Sequence, residues 1–219
     1  VKAVNDFNLL LEDGEILALL GSSGCGKTTT LRMIAGFETA TSGQIKIGER
    51  IVNDLKPADR NVAMAFEGYA LYPPLTVKDN IAFSLMREKI SKDKVDSKVM
   101  EVAELLEITD ILERYPPSIS GGQQQRVSLA RALVRDSDAL LLDEPMSQLE
   151  PQLRAVLRAR VKDYIQHNNK TVIFVTHDQT EAVALADKIA VMENGDLKQL
   201  ASPYKICLLY TSPSPRDQL

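Results

Sequence analysis

The strongest chemical signal in the sequence is the stretch Gly21-Ser22-Ser23-Gly24-Cys25-Gly26-Lys27-Thr28-Thr29. Glycines at this spacing let the backbone curl so that successive N–H groups converge on one anion. Lys27 adds a full positive charge at the end of the curl. Thr28 adds a hydroxyl that can ligate a hard cation such as Mg²⁺. An apolar run, Ile16–Leu20, comes directly before the glycines. Helical spacing through Leu31, Ile34 and Ala35 follows, stopping at Gly36. A glycine loop between a strand and a helix is the setting in which loop amides and a helix N-terminus hold a phosphate chain together.

Ala139-Leu140-Leu141-Leu142 is a second apolar run, and it ends in Asp143-Glu144. Beside the loop, Asp143 can hold Mg²⁺ directly or through water, and Glu144 can act as base toward an attacking water. Taken alone, the pair also fits a solvated strand end. Ser120-Gly121-Gly122-Gln123 opens another helical stretch, with Ser120 as its cap and the glycines exposing N–H groups. It reads either as a plain helix cap or as a second anion-binding end, which a dimer would bring to a composite site. His177 comes just past the apolar run Val172–Val175, after Thr176, and points into a crevice at a sheet edge, unless it is only a surface or capping residue. Cys25 reads as a small residue that suits the turn, or as a thiol activated at a helix N-terminus. His167, beside Asn168-Asn169, reads as surface.

The remaining pattern supplies the frame. Val62–Phe66, Val172–Val175 and Ile189–Met192 are further short apolar strands. Helical spacing occupies Lys92–Leu106, Gln123–Val134, the Leu153–Tyr164 region and Gln179–Ala186. Gln44–Ile47 and Arg50–Val52 flank Gly48-Glu49 as a hairpin, and Asn194-Gly195 marks a tight turn. Thr76 caps a helix running through Ile81. Apolar strands alternating with helices predict an α/β fold with a mostly parallel sheet covered on both faces. The stretch from about Ala70 to Pro117 lacks such strands and reads as a helical insertion.

Composition agrees with an ordinary globular chain: of 219 residues, 44% are hydrophobic and 26% charged. No apolar run is long enough to span a bilayer. The net charge of −4 argues against a polyanion-binding surface, so no nucleic-acid partner is expected. Two cysteines, Cys25 and Cys207, do not make a disulfide framework, which points to a reducing compartment.

The order of these segments resembles the ATP-binding cassette transporters. The phosphate loop comes first, then Ser120-Gly121-Gly122-Gln123, then Leu142-Asp143-Glu144-Pro145, then Thr176-His177-Asp178. The Ser-Gly-Gly-Gln stretch is the specific element, and the resemblance covers roughly residues 1–206. Within the family the chain is most similar to ATPase subunits of bacterial carbohydrate importers of the maltose and glycerol-3-phosphate type. Pro57–Met64, Tyr69-Ala70-Leu71-Tyr72-Pro73 and Thr176–Gln179 with Glu181-Ala182 carry that similarity. Polyamine, iron and sulfate importers have related ATPases.

The resemblance implies a phosphate-loop NTPase of RecA-like core, with an antiparallel hairpin region and an inserted helical subdomain. The core is expected over 1–67 and 136–206, the helical signature subdomain over 68–135. ATP and Mg²⁺ are the implied cofactors. Residues 21–29 would hold the phosphates, with Lys27 at the β and γ groups. Thr28, Asp143 and Glu67 would attend the metal. Glu144 would be the general base, and His177 would contact the γ-phosphate. Ser120, Gly121, Gly122 and Gln123 would close over ATP bound to a second ATPase subunit, in a homo- or heterodimer. The Tyr69–Leu85 region would grip an integral membrane permease, served indirectly by an extracytoplasmic solute-binding protein. The subunit would be peripheral, on the cytoplasmic face of the cell membrane.

Departures accompany the resemblance. Glu67 stands where relatives usually have Gln, and Glu150 where the loop usually ends in Asp; together they imply slower hydrolysis or a different partner subunit. An aromatic residue that stacks on adenine would lie upstream of Val1, and a C-terminal regulatory domain would lie beyond Ile206. The chain therefore reads as a fragment, with 207–219 a non-native tail or a linker. Two other readings stay open. One is a soluble cassette ATPase acting on DNA or ribosomes, and the other is a weakly catalytic half of a mixed dimer.

Overall fold

Consecutive apolar residues have no polar face to show water, so such runs belong inside a sheet covered on both sides. The computed structural model describes residues 2–86, 88 and 90–206. Its elements, in chain order, are β1 (Ile16–Gly21), α1 (Lys27–Ala35), β2 (Lys46–Ile47), β3 (Arg50–Ile51), β4 (Val62–Ala65), α2 (Val77–Phe83), α3 (Lys92–Leu105), α4 (Gly121–Leu133), β5 (Ala139–Asp143), α5 (Pro151–His167), β6 (Val172–Thr176), α6 (Gln179–Leu185), β7 (Lys188–Glu193) and β8 (Asp196–Ala201). Six strands form one sheet in the order β4-β5-β6-β1-β7-β8. All neighbours run parallel except β7 and β8, which pair antiparallel. β2 and β3 make a separate antiparallel hairpin.

Each central strand divides its side chains between two layers. From β1, Leu17 and Leu19 pack with Leu31 and Ala35 of α1. Ile16, Ala18 and Leu20 face the opposite layer, which holds Leu157 and Val161 of α5 and Ala182 and Leu185 of α6. Ile16, Leu17, Ala18 and Leu19 are at most 1% exposed, which is why the run carries no polar residue.

Between β4 and β5 only helices and turns occur among the described residues. Thr76 caps α2 as its sequence implies, its hydroxyl accepting the Asp79 N–H at 3.1 Å. Asn194 (φ 52°) and Gly195 (φ 87°) make the tight turn between β7 and β8. The tail at 207–219 lies outside the described residues.

Register decides what this fold can do. Leu20 pairs with Thr176, Asp143 with Val175, and Ala65 with Leu142. The segments that follow β1, β5, β6 and β4 therefore leave the sheet side by side at its C-terminal edge, where parallel sheets bind ligands.

Candidate active site

The phosphate loop joins β1 to α1 at that edge. Gly26 is the N-cap of α1 at φ 104°, a conformation costly for any residue with a Cβ. A Cβ there would also meet Ala3 O at 2.4 Å. At Gly21 the constraint is space: a Cβ would lie 2.3 Å from Met192 O and 2.7 Å from Cys25 Sγ. The loop is braced from outside, because Gly195 in the β7–β8 turn donates its N–H to Cys25 O at 3.1 Å. No side chain caps α1. Its first-turn N–H groups thus keep the donor capacity that a helix N-terminus offers an anion.

Lys27 is 6% exposed, and its ammonium donates to Gly21 O at 2.7 Å and Ser22 O at 2.9 Å. The charge is held over the loop from within. Cys25 is 3% exposed. That burial favours its reading as a small residue filling the turn over that of a reactive thiol.

Thr28 Oγ1 donates to Asp143 Oδ1 at 3.0 Å, joining the loop to the end of β5. Burial pushes the Asp143 carboxyl above its ordinary range, with Glu67 and Glu144 adding to the rise and the Thr28 bond and Lys27 opposing it. Asp143 thus sits among negative neighbours in a desolvated place, which a bound cation would relieve.

Glu144 follows at φ 48°, a left-handed conformation that is strained for a side chain of its size. Its N–H donates to Val175 O at 3.1 Å, and its Oε1 lies 3.1 Å from His177 Nδ1. His177 is well exposed and Glu144 much less so. A carboxylate and an imidazole therefore face one another just beyond the ends of β5 and β6. Glu67 is exposed beyond β4. The chain then turns through two consecutive left-handed residues, Tyr69 (φ 60°) and Ala70 (φ 47°).

The structure brings together the loop, Asp143, Glu144 and His177, but Ser120–Gln123 stand apart. No hydrogen bond among the described residues joins them to Gly21–Thr28. Ser120 caps α4 reciprocally: its hydroxyl accepts the Gln123 N–H at 3.3 Å, and Gln123 Oε1 accepts the Ser120 N–H at 2.9 Å. The N–H groups of Gly121 and Gly122 take no part in that exchange. Glu150 occupies the N-cap position of α5 without making a side-chain cap bond. Its extra methylene defeats the short reach that makes Asp a good cap.

Three polar residues behind the site were given no role by the sequence, although Glu181 stands in a stretch that carries the family resemblance. Gln125, 3% exposed, bonds to the turn that carries Glu144. Arg154 donates to Ser147 O at 3.1 Å and Leu149 O at 2.9 Å, and pairs with Asp178 at 3.6 Å. Glu181, 4% exposed, accepts the Thr176 hydroxyl at 2.5 Å, one residue before His177. Gln125 stands in a run of glutamines, Arg154 on a polar helix and Glu181 three residues past a cap. Nothing local marks any of them as buried.

Residues 4–147 match the family model described as ABC transporter. The chain is 50% identical over 212 residues to the trehalose/maltose import ATP-binding protein MalK of Thermococcus litoralis, spanning 94% of this chain and 57% of that one. It is 46% identical to the sn-glycerol-3-phosphate import ATP-binding protein UgpC of Ruegeria pomeroyi, spanning 98% and 62%. It is 50% identical to the xylose/arabinose import ATP-binding protein XacJ of Haloferax volcanii, spanning 93% and 53%. The chain thus covers little more than half the length of these relatives. Among solved structures it superposes on a dimeric ATP-binding cassette in a post-hydrolysis state bound to ADP and Pi. That match has a TM-score of 0.84 at 27% identity, covering 92% of this chain and 90% of that one.

Proposed function

The chain belongs to the ABC transporter family, and from that membership we propose that it binds and hydrolyses ATP to energise an importer. The solute is of the sugar or glycerol-3-phosphate class, the classes named for its relatives. One contact carries the reading: Thr28 Oγ1 meets Asp143 Oδ1 at 3.0 Å. A hydroxyl and a carboxylate converging beside an amide-lined loop suit Mg²⁺, which takes one or two protein oxygens and completes its shell with water and substrate phosphates. Bound there, Mg²⁺ would neutralise charge on the phosphates.

The chain's own residues supply the rest. The loop amides and Lys27 hold the phosphate chain of ATP. Glu144 accepts a proton from the attacking water, and its place at the end of a buried strand keeps it oriented. His177 steadies the Glu144 carboxylate through Nδ1 and leaves its other ring nitrogen for the γ-phosphate. The Ser120–Gln123 end of α4 lies apart from the loop of its own chain, which supports completion of each site by a second subunit. Two ATP molecules between two subunits would then draw the halves together, because each triphosphate is neutralised from both sides.

In this reading residues 1–67 and 136–206 form the ATP-binding core, and 68–135 a helical subdomain that docks a membrane permease. No helix among the described residues is long and apolar enough to cross a membrane. The permease would provide the path, an extracytoplasmic solute-binding protein would deliver the solute, and this subunit would sit peripherally on the cytoplasmic face.

A second reading, a weakly catalytic partner in a mixed dimer, draws support from Glu67, whose charge bears on Asp143. ATP turnover by the protein and by Glu144→Gln separates the two. Loss of a general base lowers turnover by about 10²–10⁴-fold, with ATP binding retained. Equal rates in parent and variant would refute the assignment of Glu144.

A further inference from the structure

Gln125 is a neutral residue buried in the first half of α4, and both ends of its carboxamide are used. Nε2 donates to Glu144 O at 2.9 Å and to Ser147 Oγ at 3.1 Å. Oε1 accepts the Gln148 N–H at 2.9 Å. One side chain therefore grips both ends of the turn from Glu144 to Gln148. The turn's own backbone bonds are longer, Ser147 N–H to Glu144 O at 3.4 Å and Leu149 N–H to Met146 O at 3.3 Å, while Arg154 of α5 holds its far end through Ser147 O and Leu149 O. A second contact from the same helix lies alongside. A Cβ at Gly122 would stand 3.2 Å from Gln148 O and 3.5 Å from the Leu149 side chain. The first turn of α4 thus rests directly on the segment that Gln125 holds.

Glu144 needs such a hold. Its backbone is left-handed at φ 48°, which persists only where surrounding bonds impose it. Besides the long local bond from Ser147 N–H, two bonds from other elements act on its own peptide groups: its N–H to Val175 O, and the Gln125 amide to its carbonyl. The first comes from the sheet. The second comes from the helix whose N-terminus is Ser120-Gly121-Gly122-Gln123.

We propose that Gln125 is a positioning residue that clasps the signature-bearing helix to the turn holding Glu144, so that the general base is set only while α4 is seated against 144–148. The proposal rests on the reading of Glu144 as base. A shift of α4 when its glycine end engages a ligand would pass through this carboxamide to the base.

The test uses the whole protein with Gln125→Ala and the isosteric Gln125→Glu. A carboxylate can still accept from Gln148 N–H but cannot donate to Glu144 O. Three quantities are measured: the ATP dissociation constant, kcat with KM for hydrolysis, and amide hydrogen exchange at Gln148 against Leu141 in β5. The clasp predicts ATP affinity and KM within about twofold of the parent and kcat at least about tenfold lower in both variants. It also predicts exchange at Gln148 at least about tenfold faster in Gln125→Ala, with Leu141 unchanged. Unchanged exchange at Gln148 would overturn the clasp. Faster exchange with unchanged kcat would overturn its positioning role. A parent that binds ATP without turnover would refute the hydrolytic reading instead, and Gln148 exchange would then still decide whether the clasp exists.

Discussion

Arg60 offers the most quantitative test of how the phosphate loop's helix is held. It is 3% exposed, and its guanidinium has four carbonyl partners. Nε donates to Leu55 O at 2.9 Å, Nη1 to Met33 O at 2.7 Å and Ile34 O at 3.0 Å, and Nη2 to Asn53 O at 3.0 Å. Met33 and Ile34 belong to the last turn of α1, so a cation sits where the helix end leaves carbonyls short of donors and its dipole is negative. Burial holds the Arg60 pKa below its ordinary value, as expected for a charge compensated only by dipoles. Bonds from a charged donor contribute about 1.5–3 kcal/mol each. Dehydrating a guanidinium costs several kcal/mol in return. Arg60→Met, which takes the charged donor from four carbonyls and leaves Met33 O with the Gly36 N–H at 3.2 Å, should therefore lower stability by about 3–5 kcal/mol. Arg60→Lys, keeping the charge and some of the bonds, should lose about 1–3 kcal/mol. Urea unfolding followed by circular dichroism reads both. ATP affinity of the folded protein should change by less than about threefold, since α1, at nine residues, puts about 13 Å between this clamp and the loop. A Met variant within 1 kcal/mol of the parent, or a Lys variant as unstable as Met, would refute the reasoning.

Three further outcomes follow from other positions. Glu181 has one oxygen buried without a partner, and burial pushes its carboxyl above the ordinary 4.5. The folded state therefore holds that proton more tightly than the unfolded state, and stability falls as pH rises from 4.5 through the raised value. Glu181→Gln should gain about 1–2 kcal/mol on the parent at about pH 8 and nothing below about pH 4, measured by urea titration at each pH. Glu150→Asp, which restores a side chain able to cap α5, should stabilise by about 0.5–1 kcal/mol in the same assay. Glu67→Gln should raise ATP turnover several-fold, because it removes a carboxylate whose charge opposes ionisation of Asp143. An unchanged rate would remove Glu67 from the account.

Much of the frame is legible in the sequence for a physical reason. Strands buried on both faces, such as Ile16–Leu20 and Ala139–Leu142, must be apolar throughout, and that pattern survives without any tertiary knowledge. Gly36, Thr76 and Asn194-Gly195 mark boundaries because each meets a local backbone demand. Boundaries set by a neighbouring strand are less visible. Gly21 and Thr176 join β1 and β6 through pairing with neighbouring strands that residue type alone does not announce. The hairpin of β2 and β3 shrinks to two residues on each side. The site divides in the same way. Lys27, Thr28, Asp143, Glu144 and His177 could be read from their places beside strands and glycines. Gln125, Arg154, Glu181 and Arg60 could not, since their partners lie on other elements and a polar residue on a helix looks solvated until the packing is known. The left-handed backbone of Glu144 is likewise imposed from outside.

In the proposed function, the loop of Gly21–Thr28 and the carboxylate of Asp143 receive a magnesium-bound nucleoside triphosphate. Calorimetric titration of the protein with Mg·ATP, beside Lys27→Ala and with EDTA as a third arm, tests this most directly. The prediction is saturable heat for one site per chain, lost in Lys27→Ala and weakened without the metal. No heat from the parent, or the same affinity in Lys27→Ala, would contradict it.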